Sequence, residues 1–423
     1  MRKSLGRSRN GLTAGLDVGC SKVCCFVAHA DNGMTPAIIG IGQQASRGMK
    51  SGAVVDMAAT EAAILNAVHA AEQMAGETID RVIVNLSGGH PASSSIGVQI
   101  AVGGHEVGEE DLNRAFEHGR QATGLIGEDE HVRQLIHSIP VGYKIDGNRG
   151  IRDPRGMYGQ QLGVDMHIVT ASSGPVRNLT TCIQRCHLEV EAFVVSPYAS
   201  GLAALVDDEM ELGVTVIDMG GGTTTIAVFY EGNVIYTDVV RIGGIHVTND
   251  IARGLSTGLA HAERLKTLYG HALASGADDR EVIEVPLVGE GHEAQAHQIP
   301  RSLLVGIIQP RLEETFELVR SHLEASGFDK IAGRRVVLTG GASQLPGVPE
   351  LAALTLDKQV RIGRPARTAG LAEATSGPAY ATCAGLINYA VSIDKAAPLK
   401  AQPETGEPDS LIGRFGHWFR EHF

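Results

Sequence analysis

Two segments carry the same order of chemically useful residues. In "GLDVGCSKVCCFV" (15–27) and "VIDMGGGTTTIAVF" (216–229), an aspartate between apolar residues is followed by glycine, then small or hydroxyl residues, then an apolar run. Glycines let the backbone turn tightly and approach a ligand closely, and successive free N–H groups in such a turn form a nest for phosphate oxygens. Candidate phosphate contacts are Gly19, Cys20, Ser21 and Lys22 in the first segment and Gly220, Gly221, Gly222, Thr223 and Thr224 in the second. Asp17 and Asp218 stand at matching places and could approach a Mg2+ from opposite sides, acting largely through its water shell, because Mg2+ keeps several waters and takes few carboxylates. Either turn alone is as readily a structural hairpin. The pair, gripping one polyphosphate from both sides, is what points to a nucleotide. It is not the Walker type, since no GxxxxGK[ST] is present.

These groups need a scaffold that places them around one cleft. Each aspartate segment reads as strand, tight turn, strand. In "VVLTGGASQLPGV" (336–348) a β-branched strand runs into Gly340 and Gly341, where missing side chains let a base or ribose lie against the backbone; Ala342 follows, and Ser343 is placed to start a helix. "HAERLKTLYG" (261–270) puts Glu263 and Lys266 three apart on one helical face, within reach of ribose hydroxyls and base. An ordinary strand-to-helix turn and a solvated ion pair are the plain alternatives for these last two.

With 423 residues, 43% of them hydrophobic and 20% charged, the chain has material for about two to four domains. A formal net charge of −12 without a basic patch argues against nucleic acid as a partner. The six cysteines lack the regular spacing of a secreted disulfide framework; Cys182, Cys186 and His187 fall short of the four ligands of structural zinc, so core thiols in a reducing cytoplasm are expected. "MRKSLGRSRN" is basic like the start of an export signal, but Asp17 and Lys22 interrupt the apolar residues beyond it. The stretch "AYATCAGLINYAVSI" (379–393) is shorter than the roughly 20 residues that span a bilayer and reads as a buried helix.

Aromatics form 4% of the chain, yet four stand within its last nine residues. Residues 394–409, "DKAAPLKAQPETGEPD", read as a flexible tether. At 410–423 a helix opened by Asp409 or Ser410 would gather Leu411, Ile412, Phe415, Trp418, Phe419 and Phe423 on one face, with Arg414, His417, Arg420 and Glu421 on the other. Such a face is too short to span but suited to lying at the headgroup boundary. Docking on the protein's own core is the alternative, which the proline-bearing spacer disfavours.

Taken in order, the motifs resemble the two phosphate segments, the adenosine segment and the connecting helices of the actin, Hsp70 and hexokinase superfamily. "FVVSPYASGLAAL" (193–205) is similar to its first connecting helix and "GPAYATCAGLINYA" (377–390) to its second. Over nearly the whole chain the wording, including "VNLSGGHPASSSIGVQI", "DPRGMYGQQLGVDMHIVTAS" and "VVRIGGIHVTNDIARGL", resembles the FtsA family of bacterial cell division proteins. The resemblance implies an α/β, actin-like two-lobed ATPase fold of ribonuclease H-like subdomains binding ATP and Mg2+, and it adds Gly243 to the nucleotide contacts. It implies subdomain 1A at 1–86, 165–195 and 366–393, with an inserted α+β module of SHS2 type, subdomain 1C, at 87–164. Subdomain 2A falls at 196–243 and 326–365, and subdomain 2B, helical and kinked at Pro310, at 244–325. It further implies the C-terminal tail of FtsZ on 2B, later divisome proteins on 1C, self-association into filaments, and a peripheral place on the cytoplasmic face of the inner membrane at the division site. Some filament-forming relatives carry a glutamate where Ser196 stands, so at most weak ATP turnover is expected. An actin-like adaptor of pilus-assembly type and a small-molecule kinase of the same fold are the competing expectations.

Overall fold

The computed structural model describes residues 11–29, 35–122, 132–288 and 297–396. The chain divides into residues 1–391 and 392–423, and of the second unit only the end of one helix is described. The predicted membrane helix at 410–423 lies outside the described residues, as does the predicted tether from 397 to 409.

The first lobe opens with β1 (Leu12–Val18), β2 (Lys22–His29), β3 (Ala37–Ala45), a small hairpin of β4 (Met49–Lys50) and β5 (Ala53–Val54), α1 (Met57–Ala75) and β6 (Arg81–Leu86). Asp56 caps α1 by accepting from the Ala59 N–H at 3.0 Å, and Gly76 ends it in the left-handed conformation. The chain then leaves for an inserted subdomain: β7 (Ala92–Ala101), α2 (Glu109–Ala122), β8 (Arg133–Ile145), β9 (Asn148–Ile151) and β10 (Gln161–Ser172). It returns through α3 (Ser173–Arg185) and β11 (Glu189–Val195) to α4 (Ser196–Ala204).

The second lobe contains α5 (Asp207–Leu212), β12 (Val214–Met219), β13 (Thr224–Tyr230), β14 (Asn233–Val240), α6 (Gly244–Gly254), α7 (Leu259–Tyr269), β15 (Val282–Val285), β16 (His297–Pro300), α8 (Arg301–Ser326), β17 (Arg335–Thr339), α9 (Val348–Leu356) and β18 (Gln359–Ile362). The chain then enters α10 (Ala381–Ala396), so residues 394–396, expected in the tether, close a helix instead. Pro310 sits within the continuous helix α8, whose buried Leu304, Ile308, Leu312 and Phe316 hold it to the core on both sides of the proline.

The two lobes repeat one topology. The first sheet runs β11-β6-β1-β2-β3 and the second β18-β17-β12-β13-β14, with the two hairpin pairings antiparallel and the two outer pairings parallel in each. Strand β2 is apolar on both faces because both are covered. Val23, Cys25 and Val27 pack with α1 and α3, while Cys24, Phe26 and Ala28 pack with Cys383, Ala384 and Ile387 of α10. All six cysteines are buried free thiols; Cys182 lies 3.4 Å from the Met57 sulfur. Helices α4 and α10 cross at Gly385, where a Cβ would stand 1.7 Å from the Ala199 carbonyl oxygen.

The inserted subdomain is a sheet in the order β7-β10-β8-β9, covered by α2 through Leu112 and Ala115. The boundary expected at residue 164 falls inside β10, which pairs with β7 as far as Thr170 and with β8 as far as Ser172. A strand buried in one sheet cannot be divided between modules, and the insertion therefore extends to Ser172.

Two buried histidines stand in this subdomain. Burial holds the His137 imidazole down at about 3, with nearby His167 adding to the effect, and burial alone holds His167 down at about 4. Both fold neutral, so the unfolded chain takes up more protons once the pH falls below the ordinary value of 6.5, and stability is lost from there downward. Each should cost about 1 kcal/mol between pH 7.5 and 5.5. The check is the shift in urea midpoint of wild type minus that of His137→Gln. This difference cancels Asp17 and Asp218, whose raised values act in the opposite sense.

Candidate nucleotide site

The hairpin turns are built alike. The Gly19 N–H donates to the Lys22 carbonyl at 3.0 Å and the Gly220 N–H to that of Thr223 at 2.9 Å. Asp17 pairs with Cys24 across the first hairpin as Asp218 pairs with Thr225 across the second. Among the described residues no backbone acceptor faces the N–H groups of Cys20, Ser21, Gly221 or Gly222. The tips meet: a Cβ on Gly221 would lie 2.0 Å from the Ser21 hydroxyl, and one on Gly222 2.5 Å from the Cys20 sulfur. N–H groups for which no backbone acceptor is found among the described residues thus stand on both tips where the lobes meet, an arrangement suited to gripping a polyphosphate.

The carboxylates are not equivalent. Asp218 accepts from the Thr382 hydroxyl at 2.8 Å and is also hydrogen-bonded by Ser200, so both connecting helices, α4 and α10, hold it. Burial still raises its carboxyl above the usual range. For Asp17 no side-chain donor is found among the described residues. Burial pushes it up to about 7, Lys22 opposes that and Asp218 adds to it. Two desolvated carboxylates that discourage each other's ionisation are chemically suited to a divalent cation. Asp17 and Asp218 would hold Mg2+, whose charge would screen phosphate oxygens. Among the described residues there is no group of three or more His, Cys, Asp or Glu side chains that could hold a metal ion.

The remaining predicted residues separate into two groups. Lys266 donates to Glu263 at 2.7 Å, to the Thr248 hydroxyl at 2.8 Å and to the Gly244 carbonyl at 3.1 Å, which makes the pair part of a network at the start of α6 and not a surface ion pair alone. That end of α6 is tied to the second hairpin, because the Gly244 and Ile245 N–H groups donate to the Gly220 and Gly221 carbonyls at 3.0 and 2.8 Å. At Gly243, just before α6, a Cβ would lie 2.6 Å from the Gly220 oxygen. Gly340, at φ +83°, lies so close to Asp218 that a Cβ would stand 2.4 Å from its Oδ1. Gly341 is exposed beside it, with Ala342 next in the turn.

Other hydroxyls turn inward. Thr224 donates to the Ile242 carbonyl at 2.8 Å and Ser343 to that of Gly340 at 2.7 Å. Ser343 lies within a 3-10 turn at Gly341–Gln344 and does not open α9. Both shape the turns with hydroxyls already engaged. The Lys22 ammonium stands over the Tyr380 ring, 3.3 Å from its centre. Sequence reasoning missed Asn85, whose Oδ1 accepts the Val18 N–H at 2.7 Å while its amide donates to the Ser196 hydroxyl at 3.2 Å. It also missed Ser200 and Thr382. The available signal was a lone polar residue inside an apolar run, as in "RVIVNL".

Known proteins agree with this architecture. Residues 215–385 match the model of the family described as Cell division protein FtsA, and residues 88–170 that of the SHS2 domain inserted in FTSA. The chain is 48% identical to the cell division protein FtsA of Agrobacterium fabrum, over 100% of this chain and 97% of that one. Among solved structures it is similar to the PilM-PilN type IV pilus biogenesis complex, at TM-score 0.64 and 18% identity over 90% of this chain and 98% of that one. It is also similar to MreB5 of Spiroplasma citri bound to ADP, at TM-score 0.52 and 15% identity over 91% of this chain and 98% of that one. The fold is thus actin-like α/β with an SHS2 insertion. A near-full-length match at this identity, joined to the inserted module, makes the chain a member of the FtsA family of cell division proteins.

Proposed function

We propose that the chain binds ATP with Mg2+ between its two hairpins and serves as an adaptor that fastens the FtsZ ring to the cytoplasmic face of the inner membrane. The observation that carries the nucleotide reading is the meeting of the two hairpin tips, with free N–H groups on both and a cation-seeking carboxylate behind each. Phosphates would lie on Gly19–Lys22 and Gly220–Thr223, and the adenosine along Gly340–Ser343 beside Glu263 and Lys266. The ADP bound to MreB5 of S. citri supports this choice of ligand.

Turnover should be weak. Ser196, at the place where a water-positioning carboxylate would be needed, is buried and already receives the Asn85 amide. In the same reading 2B, at 244–325, receives the FtsZ tail, the insertion receives later division proteins, and copies assemble into filaments. Filament formation would multiply the residence time of a modest C-terminal anchor. Among the described residues no helix is long and apolar enough to cross a membrane. Adhesion is assigned to Leu411, Ile412, Phe415, Trp418, Phe419 and Phe423. The pilus-assembly alternative has only the likeness of fold to PilM behind it.

Vesicle co-sedimentation tests the adaptor reading. Wild type should sediment with lipid and carry FtsZ down with it. Phe415→Glu or Trp418→Ala should cut the lipid-bound fraction at least about fivefold while ATP binding persists. Variants that sediment as wild type does would contradict the anchor.

A further inference from the structure

The inserted subdomain comes after β6 of the first lobe in sequence, yet its packing reaches the hinge and the second lobe. His137 of β8 accepts the Val195 N–H through Nε2 at 3.1 Å, at the junction of β11 and α4. Its ring meets Tyr198 of α4 edge-on at 5.5 Å and Tyr389 of α10 at 5.9 Å, and those two rings meet each other at 5.8 Å. One buried side chain of the insertion therefore touches both helices that join the lobes. Two residues on, Ile139 packs against the second-lobe core that holds Leu205 and Phe229.

On β7 the Ser93 hydroxyl accepts the Thr237 N–H of β14 at 3.3 Å, and Arg152 forms an ion pair with Glu211 of α5. The polar part of this junction is not fully satisfied. The Ser93 hydroxyl lies 3.5 Å from Nδ1 of His167, and among the described residues no protein partner is found for the buried Nε2 of His167 or the buried Thr237 hydroxyl. Orphaned polar atoms destabilise the arrangement that buries them relative to one that lets them pair. Such a contact is suited to being remade, unlike an apolar core.

We propose that the inserted subdomain is a clamp across the two lobes: rotation about α4 and α10 must shift His137, Ile139 and Ser93 against the second lobe. Occupancy of the cleft and mobility of the insertion are then linked, and the link is reciprocal. A protein that binds the insertion changes nucleotide affinity by the same factor by which nucleotide changes that protein's affinity. The identity of the cleft ligand rests on the proposed nucleotide function, whereas the clamp's geometry stands without it.

Hydrogen exchange on the full chain, with and without saturating Mg-ATP, tests this. In wild type, nucleotide should slow exchange at the hairpin tips, 19–22 and 220–223, and also slow it about fivefold or more in β7 and β8. In His137→Ala, and more mildly in Ser93→Ala should the first fold poorly, the tips should remain protected while the response of β7 and β8 disappears. Protected tips with an unresponsive insertion in wild type, or an undiminished response in both variants, overturn the clamp. Should the tips themselves ignore Mg-ATP, the nucleotide reading fails, and the clamp is judged on the nucleotide-free proteins. There, His137→Ala must speed exchange in β14 and α4, and exchange equal to wild type overturns it.

Discussion

Gly385→Val is expected to lose at least about 3 kcal/mol of stability, enough to lower the soluble folded yield sharply. The reason lies where α4 and α10 cross. A Cβ at 385 would stand 1.7 Å from the Ala199 carbonyl oxygen and 2.3 Å from its carbon, and neither is the end of a flexible side chain that could swing aside. Relief requires the helices to separate. That would pull Ser200 and Thr382 away from Asp218 and loosen the Tyr198–Tyr389 contact on the same pair of helices. The effect should therefore exceed that of a cavity of similar size in either sheet. Urea denaturation followed by far-UV circular dichroism measures it, and a midpoint equal to wild type would show that the crossing is not tightly packed.

The second large effect concerns Asp17. Its carboxyl, held up at about 7, must be ionised to receive Mg2+, so the affinity for Mg-ATP should fall roughly tenfold between pH 7.5 and 6.0. At pH 7.5 Asp17→Asn should weaken Mg-ATP by about tenfold or more while weakening metal-free ATP far less, because the charge removed faces the cation. The variant should also flatten the pH profile. The nucleotide's own ionisation is common to both proteins and cancels in the comparison. Equal slopes for wild type and variant would remove Asp17 from the metal site. The asymmetry with Asp218 also matters: an asparagine there keeps an acceptor for Thr382 and Ser200, so the hinge contacts survive in a way that Asp218→Leu would not permit.

Much of this arrangement was legible in the chain because it is repeated. Asp17 and Asp218, each followed by a glycine turn and an apolar strand, announced two equivalent hairpins, and the sheets that carry them have the same order. The second connecting helix was legible as the apolar stretch "AYATCAGLINYAVSI", and the first, "SPYASGLAA", only through its resemblance to that of the superfamily. What escaped was what depends on three-dimensional neighbours. Asn85, Ser200 and Thr382 have no periodic signature; each is one polar residue whose partner lies far away in sequence. Thr224, expected among the phosphate contacts, and Ser343, expected to start a helix in the adenosine segment, donate their hydroxyls to the Ile242 and Gly340 carbonyls, neighbours that no spacing announces. The end of the insertion was expected at 164, inside β10, and only the pairing of Gln161–Ser172 with β7 and β8 shows where that strand belongs.

Isothermal titration of the full-length protein with ATP, with and without Mg2+, addresses the facing hairpins most directly. Wild type should give saturable heat that strengthens about tenfold or more with Mg2+. Gly222→Val, whose Cβ would fall 2.5 Å from the Cys20 sulfur and 3.2 Å from the Ser51 nitrogen, would push the two tips apart and should abolish it. Wild-type protein that gives no saturable heat in either condition would contradict the account.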